Sequence, residues 1–148
     1  MEDQLVTFKV ANLAKEKGFD EVCIDTFSSE GKEQDRYNLS MEEGMSSSEI
    51  RKEFEVTNTM LDNIVKLNHP PIPYIARPSQ SLLQKWLREI ENIEVYSIKD
   101  MSRKWSNNYY NYFVYLNNTL MLRSRIGGTQ PNTYEEALEV GLFEALNL

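Results

Sequence analysis

Residues 78–98 read PSQSLLQKWLREIENIEVYSI. Leu82, Leu83, Trp86, Leu87, Ile90 and Ile93 recur at three- and four-residue spacing, which is an apolar stripe of helical period. Ser79 stands just ahead of the stripe and is of the type whose hydroxyl accepts from the free N–H groups of a first helical turn. The spacing predicts a helix over about Ser79 to Asn92. From Ile93 the period changes to two, with Ile93, Val95 and Ser97 alternating against Glu94, Tyr96 and Ile98, as in a strand. A helix that runs straight into a strand needs further strands beside it and a second helix to share the burial of its stripe.

Downstream the chain supplies both. NYYNYFVYLNNTLMLRSR, residues 108–125, reads as two strands around Asn117-Asn118, a pair that tolerates the left-handed backbone of a tight hairpin. IGGTQPN, residues 126–132, is read as a loop. Thr133 and Glu136 have capping-box spacing, and Tyr134, Ala137, Leu138, Gly141, Leu142, Ala145 and Leu146 line one helical face after them. Gly141 lowers helix propensity by about 1 kcal/mol relative to alanine, so its place on the buried stripe implies close backbone approach. Residues 79–147 are therefore expected to form helix, three antiparallel strands, helix. The fold class is α+β, with both helices on one face of the sheet.

Upstream, Val6, Val10, Leu13 and Ala14 make a helical stripe over about Glu2 to Lys17, with acids at its start and lysines at its end. Gly18 is placed to end it and Phe19 to make the apolar contact of a Schellman-type cap. EVCIDTF, residues 21–27, reads as a strand with Val22 and Ile24 on one face. This helix and strand are expected to pack on the C-terminal unit. Residues 28–49 read as a mobile polar loop, and SSSEIRKEF (46–54) and TNTMLDNIVKL (57–67) as one or two short helices. HPPIPYIARP, residues 69–78, holds four of the five prolines and reads as a connector that no helix can cross.

LAKEKGFDE (13–21), ARPSQSLLQKWLREIENIEV (76–95) and TYEEALEVGLFEAL (133–146) together resemble a family of short uncharacterised proteins of Bacteroidetes genomes and their phages and mobile elements. The resemblance implies one compact cytoplasmic domain over residues 1–148 and a bacterial or phage origin. It implies no activity, cofactor or catalytic residue.

Composition narrows the chemistry. No apolar run is long enough to span a bilayer, and MEDQLVTFKV lacks the basic-then-apolar order of a signal peptide, so no membrane association is expected. A single cysteine, Cys23, excludes an internal disulfide and fits a reducing compartment, so the expected location is cytoplasmic. Cys23 and the single histidine, His69, lie in a strand and in the proline-rich connector, with no third group to orient a base. No catalytic residues are assigned. No metal site is expected, because ligands at zinc spacing are missing, and no cofactor, because no phosphate-binding or dinucleotide fingerprint is present. The glycines before Thr133 could hold an anion, but Glu135 and Glu136 already occupy that helix terminus.

Two binding classes are left. Helix, three strands, helix is the element order of double-stranded RNA-binding domains, and residues 99–125 carry five bases against one acid among aromatics. Lys104, Trp105, Arg123 and Arg125 are the candidate nucleic-acid contacts. Against that reading, Glu135 and Glu136 stand where such domains place lysines, and the net charge is −7. The favoured reading is a non-enzymatic protein-interaction module with an unknown protein partner. Its candidate surface is Tyr110 and Tyr112, which alternate against Tyr109, Phe113 and Tyr115, together with Val140 and Phe143 on the far side of the last helix. Burial of those last two would support a weak homodimer.

Overall fold

A computed structural model of the chain describes residues 3–23, 25–28, 33–34, 56–67, 74–101, 109–124 and 131–148. The fold is α+β, and the chain divides into two compact units, Leu5–Pro78 and Met1–Gln4 with Ser79–Leu148.

In the first unit helix α1 spans Phe8–Glu16 and not Glu2–Lys17. The correction has a backbone cause. Val6 N–H donates to Pro78 O at 3.0 Å, and Thr7 is extended at the N-cap, so residues 3–7 are not helical. The other end follows expectation. Gly18 takes φ +95°, its N–H donates to Lys15 O, Phe19 N–H donates to Ala14 O, and the Phe19 ring is buried. That double bond is the Schellman motif, which satisfies carbonyls the helix leaves free.

Strand β1 is Asp25–Ser28, later than the residue 21–27 pattern indicated. Val22 is half exposed, and Cys23 forms only an isolated antiparallel bridge with Val56. A two-residue strand β2, Glu33–Gln34, interrupts the segment read as a loop, and residues 35–49 and 46–54 lie outside the described residues. Helix α2, Asn58–Leu67, realises one of the short helices expected there. Asp20 holds its start: Thr59 N–H and Thr59 Oγ1–H each donate to its carboxylate at 2.7 Å. Burial pushes the Asp20 carboxyl up, but these bonds outweigh it and leave the group below its ordinary value.

The connector reading of 69–78 also needs correction. Tyr74–Arg77 is strand β3, paired antiparallel with β1 in a sheet of order β2-β1-β3. The flanking prolines favour extended backbone, and an edge position tolerates the donors they lack. Helices α1 and α2 both pack on β3, so the first helix and strand belong to a unit with its own sheet.

The second unit follows the predicted order. Helix α3 spans Gln80–Ile90, and Leu82 N–H donates to the Ser79 hydroxyl. Asp3, expected at the start of the first helix, instead accepts from Ser81 N–H and the Ser81 hydroxyl in the first turn of α3. Leu83, Trp86 and Leu87 are buried, but Ile90 is 60% exposed at the C-terminal end. Asn92 then takes φ 54° and turns the chain into β4, Ile93–Lys99. Strands β5, Tyr110–Leu116, and β6, Thr119–Arg123, flank a two-residue turn in which Asn117 and Asn118 have φ 48° and 63°. Both central residues are left-handed, as a turn matching the twist of paired strands requires. The sheet order is β4-β5-β6, all antiparallel, with an irregularity between Val114 and Tyr115.

Helix α4, Tyr134–Leu146, packs on β4 and β5, while α3 packs on β4 and on α4. Ala137, Leu138, Gly141, Leu142, Ala145 and Leu146 are buried as expected, whereas Tyr134 is exposed. Glu136 N–H donates to the Thr133 hydroxyl, but the Glu136 carboxylate accepts from Asn132 N–H, one residue before the partner of a standard capping box. On the outer edge of β4, Gln84 from α3 donates to Val95 O.

Candidate functional site

Strand pairing fixes which aromatic set faces outward. Val95 pairs with Val114, and a Cβ on Gly141 would stand 2.8 Å from Val95 Cγ1 and 3.2 Å from Tyr112 Cβ. Tyr112 therefore faces α4, and so does Tyr110, whose ring meets Tyr134 edge-on at 6.4 Å. This corrects the expected surface: Tyr110 and Tyr112 are half-buried beneath a helix. Alternation places Phe113 and Tyr115 on the opposite face.

That face is open. Tyr96, Ile98 and Leu120 are exposed there, at 43%, 56% and 44%, and Phe113 and Tyr115 are half-buried between them. Tyr96 and Tyr115 stack edge-on at 5.9 Å. The Tyr96 hydroxyl donates to the Glu94 carboxylate on the same strand, which together with slight desolvation pushes the phenol up. Arg123 sits opposite Phe113 and adds a cation at the far margin. Sequence alternation revealed two aromatic sets but not which one was covered. Gly141 marks where α4 comes close to the sheet, and only the folded register shows that Val95 and Tyr112 are what it meets.

Val140 is 39% exposed on α4, and Phe143 is half-buried, so the two form a smaller patch than expected. Arg123 is exposed, while Lys104, Trp105, Arg125 and His69 lie outside the described residues.

Among the described residues, two hollows on this unit can be outlined. One of about 280 Å³ lies beside Asp3, Gln80, Ser81 and Glu135. Its polar groups are engaged with one another: Gln80 Nε2 donates to Glu135 O at 3.1 Å and Glu139 Oε2 at 3.0 Å, tying the starts of α3 and α4 together. The other, of about 220 Å³, is lined by Arg88, Asn92, Glu94, Asn117 and Asn118. Asn117 N–H donates there to Asn92 O, so the asparagines serve the two turns.

Cys23 is buried, and its thiol donates weakly to Glu21 O. Burial, and then the charges of Asp25 and Glu21, push its pKa up to about 12. The thiolate is the reactive form, so the folded protein at pH 8 is expected to resist iodoacetamide. Mass spectrometry should show one adduct after denaturation and little before it. Rapid alkylation of the native chain would contradict the buried placement. Among the described residues, no three His, Cys, Asp or Glu side chains gather as a metal site, and no helix is long and apolar enough to cross a membrane.

No protein-family model matches the sequence, no curated protein matches it, and no solved structure matches it.

Proposed function

We propose that the chain is a non-enzymatic protein-interaction module of the cytoplasm, and that the open face of the β4-β5-β6 sheet is its contact surface. The observation that carries this reading is the adjacency of Tyr96, Ile98, Tyr115 and Leu120 on a face on which, among the described residues, no helix packs. Aromatic and aliphatic side chains held by a rigid sheet lose little entropy on binding and are enriched where interfaces bury most. A buried Cys23 with a raised pKa supports a structural role for the only thiol. The three sequence segments that resemble the Bacteroidetes family support a bacterial or mobile-element origin.

A second reading, nucleic-acid binding, is favoured by Arg123 beside Phe113 on the same face as two tyrosines. Two measurements separate them. Crosslinking in host extract should capture a protein that the native chain retains and Ile98→Glu loses, while the Lys85→Ala variant, altered on helix α3, keeps it. Titration with short single-stranded RNA should show no tight binding at low salt. Binding that weakens steeply with salt, and weakens further in Phe113→Ala and Arg123→Ala, would replace the first reading with the second.

A further inference from the structure

The sheet of the second unit has two edges, and they differ. The β4 edge is engaged by Gln84 from α3. The β6 edge carries Leu120 at 44% and Met121 at 46% exposure; of the usual guards of an edge strand it lacks lysine and proline and keeps Arg123 and an irregularity in its pairing.

Its hydrogen-bonding pattern is irregular in an informative way. Ser124 N–H donates to Tyr112 O, so Tyr112 and Val114 direct their backbone groups to β6, and Phe113 and Tyr115 direct theirs to β4. Arg123 opposite Phe113 and Leu120 opposite Tyr115 thus turn their own N–H and C=O groups away from β5. Because the bulge inserts a residue, these two outward points are three residues apart. A regular strand presents such groups every second residue and meets only one of them well. A second β6 carries the same three-residue spacing.

We infer that β6 pairs antiparallel with β6 of a second copy of this chain, Leu120 of each copy opposite Arg123 of the other. This register uses both outward points of each strand and keeps the two guanidinium groups apart. It lays the Arg123 stem along Leu120 and continues the open face across the twofold axis. Charge permits it: the unit that carries β6, Met1–Gln4 with Ser79–Leu148, holds ten acids and seven bases, so only −3 of the chain's −7 lies in it.

The inference deepens the interaction reading by naming one partner, and its test is separable, since Ile98 lies on β4, the opposite edge strand. Amide exchange of the native protein should slow at Leu120 and Arg123 as concentration rises, with Leu122 protected throughout. Sedimentation equilibrium should show a reversible dimer. Leu120→Lys, which faces Arg123 of the other copy, should weaken it roughly tenfold or more, whereas Leu120→Glu should hold or tighten it. Adding Arg123→Glu to Leu120→Glu should weaken it again. Leu120 is exposed, so these variants are expected to keep the native circular dichroism spectrum. Exchange at both amides that is independent of concentration would overturn the pairing, as would equal weakening by lysine and glutamate at position 120.

Discussion

Gly141→Leu is expected to cost the second unit about 3 kcal/mol or more, a large share of the roughly 5–15 kcal/mol that holds a domain folded, and so to lower its urea midpoint sharply. Even a single Cβ there would stand 2.8 Å from Val95 Cγ1 and 3.2 Å from Tyr112 Cβ. Val95 is β-branched and buried, so its methyl cannot swing aside, and the Tyr112 Cβ is fixed by its strand. Gly141→Ala should therefore destabilise, although alanine is worth about 1 kcal/mol more than glycine in a helix. Overpacking of about 1–3 kcal/mol opposes that gain. Urea unfolding of Gly141→Ala, Val95→Ala and the double variant forms a test cycle. Removal of the Val95 methyls should leave the double variant more stable than the sum of the single losses predicts. A stabilised Gly141→Ala would mean that α4 stands further from the sheet.

Asn58→Leu is the second substitution with a large expected effect. Asn58 is 5% exposed, its Nδ2 donates to Phe19 O at 2.7 Å, and its Oδ1 accepts from Ala76 N–H at 3.0 Å. One side chain thus satisfies the residue after the α1 cap and the outer edge of β3, while standing at the start of α2. Leucine fills a similar volume but strands both backbone groups out of water, at about 1–3 kcal/mol for each. A fall in the urea midpoint of that size is expected, with an unchanged slope. Amide exchange should show Ala76 losing protection first. A variant as stable as the native protein would mean that water reaches both groups.

What the sequence discloses tracks the range of the physics involved. The Asn117-Asn118 turn, the Ser79 and Thr133 caps and the Gly18–Phe19 terminus depend on residues a few positions apart, and each was legible. Residues 79–147 were legible as a unit because they are contiguous and their two periods change cleanly. Asn58 was not, since its partners lie 39 and 18 residues away and are backbone groups that any residue carries. Strand β3 was hidden by the prolines around it, and its partner β1 was displaced because Val22 and Cys23 mimic a strand start. The outward face was half legible. Alternation separated Tyr110 and Tyr112 from Phe113 and Tyr115, but the choice between them depends on the β4–β5 register, which no turn of two residues pins.

The Gln84 side chain on the β4 edge bears on how far assembly can go. A sheet with two bare edges can add copies without end, and a fibre is the result. Here the Gln84 amide from the helix above already occupies one acceptor on the β4 rim, Val95 O. If β6 pairs with its own copy as inferred, an incoming strand would meet a β4 rim that has lost that acceptor. The glutamine would then favour a closed pair over an open-ended fibre.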